Sequence, residues 1–307
     1  MKIAFLISAQ KDARHLRDLV DSLPQDAEFY IHIDRRRDQQ HFKRLLDRPG
    51  VFFISHRVNV ISGSLNEVEV QVALLRAALE GDVADWLVSL DGLDYPLWSN
   101  RHIEEYLASS KGKEILRGIS MVGQGREAYR YCDFQLLNDH SWRGGTWKSG
   151  ARSLFRHVLS GSHVHKSLYI HCSDKTYTLY RGGTSWAISP RLAQRIIDEW
   201  DENEHLKKYF TTSYRPVETF IPTVAFNSAF ATHCELVKGR YENMQQLQPL
   251  TFVGGRSPKI LTEDALPMLR DSGKMFCRQL VTGYSDGLKS LIDAGRRDDA
   301  SAKDNVA

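Results

Sequence analysis

Short apolar runs alternate with amphipathic segments through the first hundred residues of the chain. Four runs have the length and apolar character of buried parallel strands: residues 3–7, 28–34, 51–54 and 86–90. Between them, apolar residues recur at helical spacing over residues 16–23 and 65–79, and Pro24 stops the first of these patterns. This order predicts an α/β fold, with an open, mostly parallel sheet flanked by helices.

Polar residues follow these runs where each predicted strand ends. Ser8 and Ala9 follow the first run, Asp34 ends the second, and Asp91 and Asp94 follow the fourth. Open parallel sheets bind ligands at the carboxyl ends of their strands, so several acids at such ends favour a nucleotide-sugar site. The acids after the fourth run also fit an ordinary turn of Asp, Gly and Pro residues, which needs no ligand.

Composition adds only broad limits. The 307 residues include 42% hydrophobic and 26% charged residues with a net charge of +3, which is ordinary for a globular protein. Basic residues are scattered along the chain, which argues against nucleic acid as a partner. We find no apolar stretch long enough to cross a membrane and no secretory signal before the first strand. We therefore expect a cytoplasmic protein, with peripheral contact at the inner membrane left open.

Several common catalytic motifs are absent from the sequence. No glycine-rich dinucleotide motif, Walker loop or Gly-x-Ser-x-Gly elbow occurs, which argues against a dinucleotide enzyme, a kinase and a serine hydrolase. The polar and aromatic-rich region 118–171 is less regular than the first half. Such a region suits the binding of a sugar acceptor, although it equally fits a subdomain that packs its own aromatic side chains.

Seven ordered pieces of the sequence resemble one known family. They are residues 3–9, 30–34, 64–69, 92–97, 183–189, 216–218 and 257–262. Together they resemble the core-2/I-branching glycosyltransferases, the family that also contains the peptide-O-xylosyltransferases, and the chain is identified as a bacterial-type member. The resemblance covers about residues 1–280. It implies a GT-A-like fold, a nucleotide-sugar donor and inverting transfer to a hydroxyl of a glycan or related acceptor.

The resemblance implies that Glu218 is the general base. An inverting transfer needs a side chain that takes the proton of the acceptor hydroxyl. The family reads Pro-Asp-Glu where this chain reads Pro216-Val217-Glu218, so one of the two acids is replaced by valine. The alternative is a structural glutamate, because the positive end of a helix dipole favours an acid in the first turn without any catalysis.

The resemblance also implies that basic side chains, rather than a metal, stabilise the departing diphosphate. The candidates are Arg256, Lys259 and Arg278, and Gln279 stands where relatives often have a lysine. Each cation could equally be a solvated surface charge, the usual state of Lys and Arg. Asp91 and Asp94 leave open a Mg²⁺ or Mn²⁺ site, since hard cations prefer carboxylate oxygens. We favour an enzyme without a metal cofactor.

Further contacts with the donor follow from the resemblance and from the strand ends. Ser8, Ala9, Asp34 and Asp91 are predicted to bind the nucleotide. The transferred sugar is expected to contact three residues: Asp94, Ser185 and Trp186. For Trp186 the alternative is an ordinary tryptophan of the hydrophobic core.

Two classes of function remain open. The first is a glycosyltransferase with a UDP-sugar donor and a glycan or lipid-linked acceptor. The second is a non-catalytic sugar- or nucleotide-binding protein on the same fold. Three departures from the family pattern keep it open: Val217, Gln279, and Asp91, which stands where the family more usually has a serine or another small residue. We predict one catalytic domain over residues 1–285, with a nucleotide-binding half, 1–115, and an acceptor-binding and catalytic half, 116–285. Residues 286–307 are predicted to form a polar, disordered tail.

Overall fold

The protein is described from a computed structural model, which covers residues 1–81, 84–135, 165–254 and 259–304, with side chains to residue 297. The described α-helices are α1 Ala13–Ser22, α2 Gln39–Leu45, α3 Asn66–Glu80, α4 Asn100–Ser109, α5 Arg126–Cys132, α6 Pro190–Glu202, α7 Glu204–Thr211, α8 Phe220–Phe226, α9 Leu266–Asp271 and α10 Asp286–Asp304. Short 3₁₀ turns occur at Pro216–Glu218, Ala229–His233, Met244–Leu247 and Glu263–Ala265.

The described strands form one large sheet and three small ones. Their bounds are β1 Ile3–Ala9, β2 Glu28–Ile33, β3 Val51–Phe53, β4 Trp86–Asp91, β5 Asp94–Pro96, β6 Arg117–Ser120, β7 Tyr169–His171, β8 Thr176–Thr178, β9 Tyr180–Gly182, β10 Ala187–Ile188, β11 Glu235–Leu236, β12 Thr251–Val253 and β13 Phe276–Arg278. The large sheet has the order β10-β4-β1-β2-β3, and all its pairs are parallel except β10 with β4. The predicted α/β class, an open and mostly parallel sheet flanked by helices, is confirmed.

Strand β1 lies in the middle of the sheet and sends side chains to both faces. Leu6 joins a core with α3, α6 and α8 on one face, whereas Phe5 and Ile7 join a core with α1 and α4 on the other. Burial on both faces explains why this strand reads as a continuous apolar run. The register sets Ser8 of β1 directly beside Asp91 of β4, so both side chains reach the carboxyl edge of the sheet together.

The small sheets bring residues from distant parts of the chain to that edge. In the sheet β12-β13-β5, antiparallel pairing places Arg278 of β13 opposite Asp94 of β5. In the sheet β11-β6-β9, strand β9 carries Arg181, whose side chain is almost completely buried. Two arginines of the second half are thus carried by different small sheets.

The predicted disordered tail is wrong for residues 286–304, which form helix α10. Leu288 and Ile292, one turn apart, are buried in a third core together with Tyr95. The hydroxyl of Tyr95 donates to Asp293 at 3.0 Å, and the guanidinium of Arg296 donates to the carbonyl oxygen of Trp98 at 2.8 Å. The segment is polar along most of its length, but one narrow apolar stripe docks it on the domain.

A membrane-spanning helix does not occur in the described part of the chain: none of its helices is both long and apolar enough to cross a bilayer.

Candidate functional site

A cavity of about 470 Å³ opens at the carboxyl ends of β1 and β4, between the large sheet, α3 and the turn Pro216–Glu218. This volume lies in the range of small-molecule sites, and the position is where open parallel sheets bind ligands. The floor includes the apolar side chains of Leu6, Val70 and Leu74. The charged residues on its wall are Glu67, Asp91, Glu218, Lys11, Arg215 and Arg278.

A close approach of two strand ends shapes one side of the cavity. The amide of Gly92 donates to the carbonyl oxygen of Ser8 at 2.9 Å, directly after β4. A β-carbon at position 92 would lie 2.6 Å from the β-carbon of Ala9 and 3.0 Å from its α-carbon. Only glycine fits there without moving β1, which explains the Asp-Gly pair at the end of the strand.

Glu218 lies on the wall of the cavity, at the end of the turn Pro216–Glu218, and is completely buried. Its Oε2 atom accepts hydrogen bonds from the hydroxyl of Tyr131 at 2.5 Å and from Nε of Arg181 at 3.0 Å. Its Oε1 atom lies 2.8 Å from Nη1 of Arg215, but the N–H groups of Arg215 are not aligned for a hydrogen bond. No described residue donates a hydrogen bond to Oε1. One oxygen therefore accepts two hydrogen bonds, whereas the other has only an ion-pair contact among the described residues.

Aromatic rings hold the arginine that orients Glu218. The guanidinium of Arg181 lies 4.6 Å from the ring centre of Tyr131 and 4.2 Å from that of Tyr241, an arrangement that favours a cation. Its Nη1 atom also lies 3.4 Å from a carboxylate oxygen of Glu127. Because the guanidinium is enclosed in this way, Arg181 fixes the direction of the Glu218 carboxyl group.

A second glutamate, Glu67 in the first turn of α3, faces the same cavity. Its Oε2 atom accepts a hydrogen bond from the amide of Gly63 at 2.9 Å. Burial raises the pKa of this carboxyl group, and the neighbouring Glu218 and Asp91 raise it further, against the opposing effects of that amide and of Arg215. Glu67 therefore gives up its proton less readily than an ordinary glutamate.

Three of the residues predicted for donor binding do line the cavity: Ser8, Asp91 and Arg278. The Oδ1 atom of Asp91 accepts a hydrogen bond from the amide of Leu93 at 3.0 Å, and its side chain is partly exposed. These positions are compatible with the predicted roles, which stay predictions.

Asp94 has a different position from the predicted one. It is fully buried, is absent from the cavity wall, and accepts from Nε of Arg278 at 2.5 Å and from Nη2 at 2.7 Å. Burial alone would lower the pKa of the Arg278 guanidinium, but Asp94 and then Asp91 raise it above its ordinary value. The carboxylate of Asp94 therefore holds Arg278, and its predicted sugar contact stays a prediction.

The pairing of Asp94 with Arg278 disfavours a metal ion between Asp91 and Asp94. Both Asp94 oxygens face Arg278, and a cation at that point would meet the guanidinium charge. Among the residues that the structure describes, no three His, Cys, Asp or Glu side chains are grouped closely enough to hold a metal ion. The two aspartates do not form a fitting pair of metal ligands.

Asp34 and Ala9 lie next to the cavity but not on its wall. The carboxyl group of Asp34 is fully buried and accepts from Arg36 through Nε, Nη2 and the backbone amide, and from the amide of Val60. Burial opposes its ionisation, but the hydrogen bonds from Arg36 outweigh this and lower its pKa. Asp34 orders the loop that brings Val60 to the cavity, and the predicted nucleotide contacts of Asp34 and Ala9 stay predictions.

Ser185 and Trp186, predicted to contact the sugar, are core residues. The hydroxyl of Ser185 forms a hydrogen bond with that of Thr251 at 2.6 Å, and the Trp186 side chain is 1% exposed within the core beside α3 and α6. The position of Trp186 agrees with the alternative, a core tryptophan, and the predicted sugar contacts of both residues stay predictions. Thr184, one residue earlier, lines the cavity in their place.

The two remaining diphosphate candidates are not on the described wall. Arg256 lies outside the described residues. Lys259 is exposed and does not line the cavity. Of the predicted cations, Arg278 is thus the one found at the cavity.

Four residues that line the cavity or contact Glu218 escaped the sequence reasoning: Glu67, Tyr131, Arg181 and Arg215. Two of them carried a usable signal. Glu67 lies inside the helix-opening piece, residues 64–69, and Arg215 directly precedes Pro216-Val217-Glu218. Arg181 is a lone charge in a short segment that the structure buries, and only the folded chain shows that it meets Tyr131.

Comparison with known proteins now adds the family. The family model for the Core-2/I-Branching enzyme matches residues 3–249, which is well over half of the chain. The chain belongs to this family. That confirms the predicted family. The cavity at the carboxyl edge of a mostly parallel sheet agrees with the GT-A-like fold that the resemblance implies.

Similar proteins include two human enzymes and one solved structure. Xylosyltransferase 2 of Homo sapiens is 23% identical over 239 residues, 74% of this chain and 25% of the relative. N-acetyllactosaminide beta-1,6-N-acetylglucosaminyl-transferase of Homo sapiens is 25% identical over 143 residues, 44% of this chain and 35% of the relative. The solved galactosyltransferase LgtC, in complex with donor and acceptor sugar analogs, aligns with 96% of this chain and 93% of its own at 13% identity and a TM-score of 0.41. The chain thus spans about a quarter to a third of these curated relatives.

Proposed function

We propose that the protein is an inverting glycosyltransferase, which moves a sugar from a UDP donor to a hydroxyl of a glycan or lipid-linked glycan. The observation that carries the proposal is the position of Glu218, a carboxylate oriented by Tyr131 and Arg181 on the wall of a ligand-sized cavity. A lipid-linked acceptor would bring peripheral contact with a membrane.

The reaction is a single displacement at the anomeric carbon of the donor. The acceptor oxygen forms the new bond to this carbon while its proton passes to the free Oε1 atom of Glu218. The bond between the anomeric carbon and the phosphate oxygen breaks, and its electron pair leaves with UDP. Attack from the face opposite the leaving group inverts the configuration, as in inverting glycoside hydrolysis.

Cationic side chains compensate the negative charge that grows on the diphosphate. Arg278 is held at the cavity by Asp94, and Lys11 lies at the same wall with an exposed ammonium group. Preorganised charges of this kind stabilise a leaving group without reorganisation during the reaction. We propose that they act in place of a metal, with Arg256 as a further candidate.

A donor panel tests this function. UDP-N-acetylglucosamine, UDP-xylose, UDP-glucose and UDP-galactose are each added to the protein, and the melting temperature is measured with and without EDTA. We expect one donor to raise the melting temperature equally in both conditions, and the wild type to release UDP from it slowly in the absence of an acceptor. Binding without UDP release would favour the non-catalytic alternative, and loss of the shift with EDTA would contradict metal independence.

A further inference from the structure

Arg215 lies at the cavity beside Oε1 of Glu218, the carboxylate oxygen that accepts no hydrogen bond from a described residue. Its backbone has φ 45° and ψ 61°, a left-handed conformation that non-glycine residues seldom adopt and that is often found at functional sites. The side chain is 44% exposed, lines the cavity, and brings Nη1 to 2.8 Å from Oε1 of Glu218. The backbone strain thus places a cation directly on the atom that must accept the proton.

Among the contacts described for the Glu218 carboxyl group, the one with Arg215 lacks hydrogen-bond geometry. Oε2 receives aligned hydrogen bonds from Tyr131 and Arg181, and the latter is held between aromatic rings. Nη1 of Arg215 meets Oε1 at ion-pair distance without hydrogen-bond alignment. Arg215 can therefore leave Glu218 while the carboxyl group keeps its orientation.

The other cations on the described cavity wall are less able to exchange partners. Arg278 donates two hydrogen bonds to the buried Asp94, so its departure would leave a carboxylate buried without a cation. Lys11 is exposed at the mouth of the cavity and already solvated. A diphosphate that enters beside Glu67, Asp91 and Glu218 adds negative charge to an acidic wall, so a cation that can turn toward it is favoured.

We propose that Arg215 covers the base Glu218 in the free enzyme and moves to the diphosphate when the donor binds. This inference rests on the proposed function and adds the order of events: donor binding uncovers Oε1, and only then can an acceptor hydroxyl lose its proton there. The same arginine thereby protects the base before binding and contacts the leaving group afterwards.

A double-mutant cycle on UDP affinity tests the exchange without any measurement of catalysis. In Glu218→Gln the carboxylate no longer holds Arg215, so UDP should bind about fivefold more tightly or better. Arg215→Gln should bind UDP about tenfold more weakly. In the double variant the gain from Glu218→Gln should vanish, because no arginine remains to be released. Titration calorimetry with UDP measures all four affinities.

Lys11→Gln is the matched control, since it removes a cavity cation that does not touch Glu218. Glu218→Gln should tighten UDP binding in this background as it does in the wild type. If the gain persists equally in the Arg215→Gln background, it reflects simple repulsion between a carboxylate and UDP, and the exchange is overturned. Arg215→Lys, which keeps the charge, should restore most of the affinity, and it guards against a folding defect.

The affinities also separate this inference from the function on which it rests. A wild type that binds no UDP would overturn the donor proposal together with this one. UDP binding without coupling between residues 215 and 218 would overturn this inference alone.

Discussion

Two pairs of carboxylates near the carboxyl edge of the large sheet, Asp34 with Asp94 and Glu67 with Glu218, are held in different ways. Asp34 and Asp94 each accept hydrogen bonds from two side-chain nitrogens of one arginine and from backbone amides. Neither residue lines the cavity. Glu218 and Glu67 line the cavity, and Glu218 retains an oxygen to which no described residue donates. Acids at the sheet edge with all their oxygens satisfied serve the scaffold, whereas those left incomplete are the candidates for chemistry.

The largest effect is expected at the most tightly paired acid. Asp94→Asn leaves the Arg278 charge buried without a partner and should reduce the free energy of unfolding by about 3–5 kcal/mol. Asp201→Asn is the control, because Asp201 pairs with Arg76 at the surface and should cost at most about 1 kcal/mol. Urea unfolding of both variants measures the difference. Equal losses would show that the Asp94 pair is no more structural than a surface ion pair.

For Asp34→Asn we expect a smaller loss in the free energy of unfolding, and this loss should depend on pH. The lowered pKa of Asp34 means that its ionised form stabilises the fold above the unfolded value near 3.8. The variant should lose about 2 kcal/mol at neutral pH, and the loss should shrink as the pH falls below 3.8 through the folded pKa. Denaturation of both proteins at neutral and acid pH checks this. A constant difference would contradict the ionic role.

Glu67→Gln should change the free energy of unfolding least, and it should raise this free energy where the other two variants lower it. Its raised pKa means that the folded state binds its proton more tightly than the unfolded state, so stability falls as the pH rises from about 4.5 through the folded pKa. The variant should therefore equal the wild type near pH 4 and be slightly more stable at pH 7. Thermal unfolding at both values tests this. A loss at neutral pH would assign Glu67 to the scaffold with Asp34.

The fold was largely predictable from local patterns, and the partners of its charges were not. Apolar runs such as that of β1 and the position of Ser8 and Asp91 at strand ends follow from periodicity and from parallel pairing. Whether a carboxylate can contact a ligand depends on which donors pair with it in the folded chain. Arg36, two residues after Asp34, was within reach of sequence reasoning, but Arg278 meets Asp94 across 184 positions of the chain.

Helix α10 shows the same limit for apolar residues. Among its side chains up to residue 297, the buried apolar ones are Leu288 and Ile292. A mostly charged segment with two such residues resembles a solvated tail until the surface that receives it is known. That surface includes Tyr95, nearly two hundred residues earlier in the chain. The lone arginine of β9 was missed for a similar reason, because its aromatic partners come from separate elements.

The central claim is that Glu218 acts as a base, and Glu199 provides a matched test of it. Glu199 on α6 is also buried and accepts hydrogen bonds from Tyr177 and Arg195, but it does not line the cavity. The measurement is the rate of UDP release from the bound donor in Glu218→Gln and Glu199→Gln. We predict a loss of at least about 100-fold in Glu218→Gln with UDP binding retained, and little change in Glu199→Gln. Equal rates in the two variants would contradict the account.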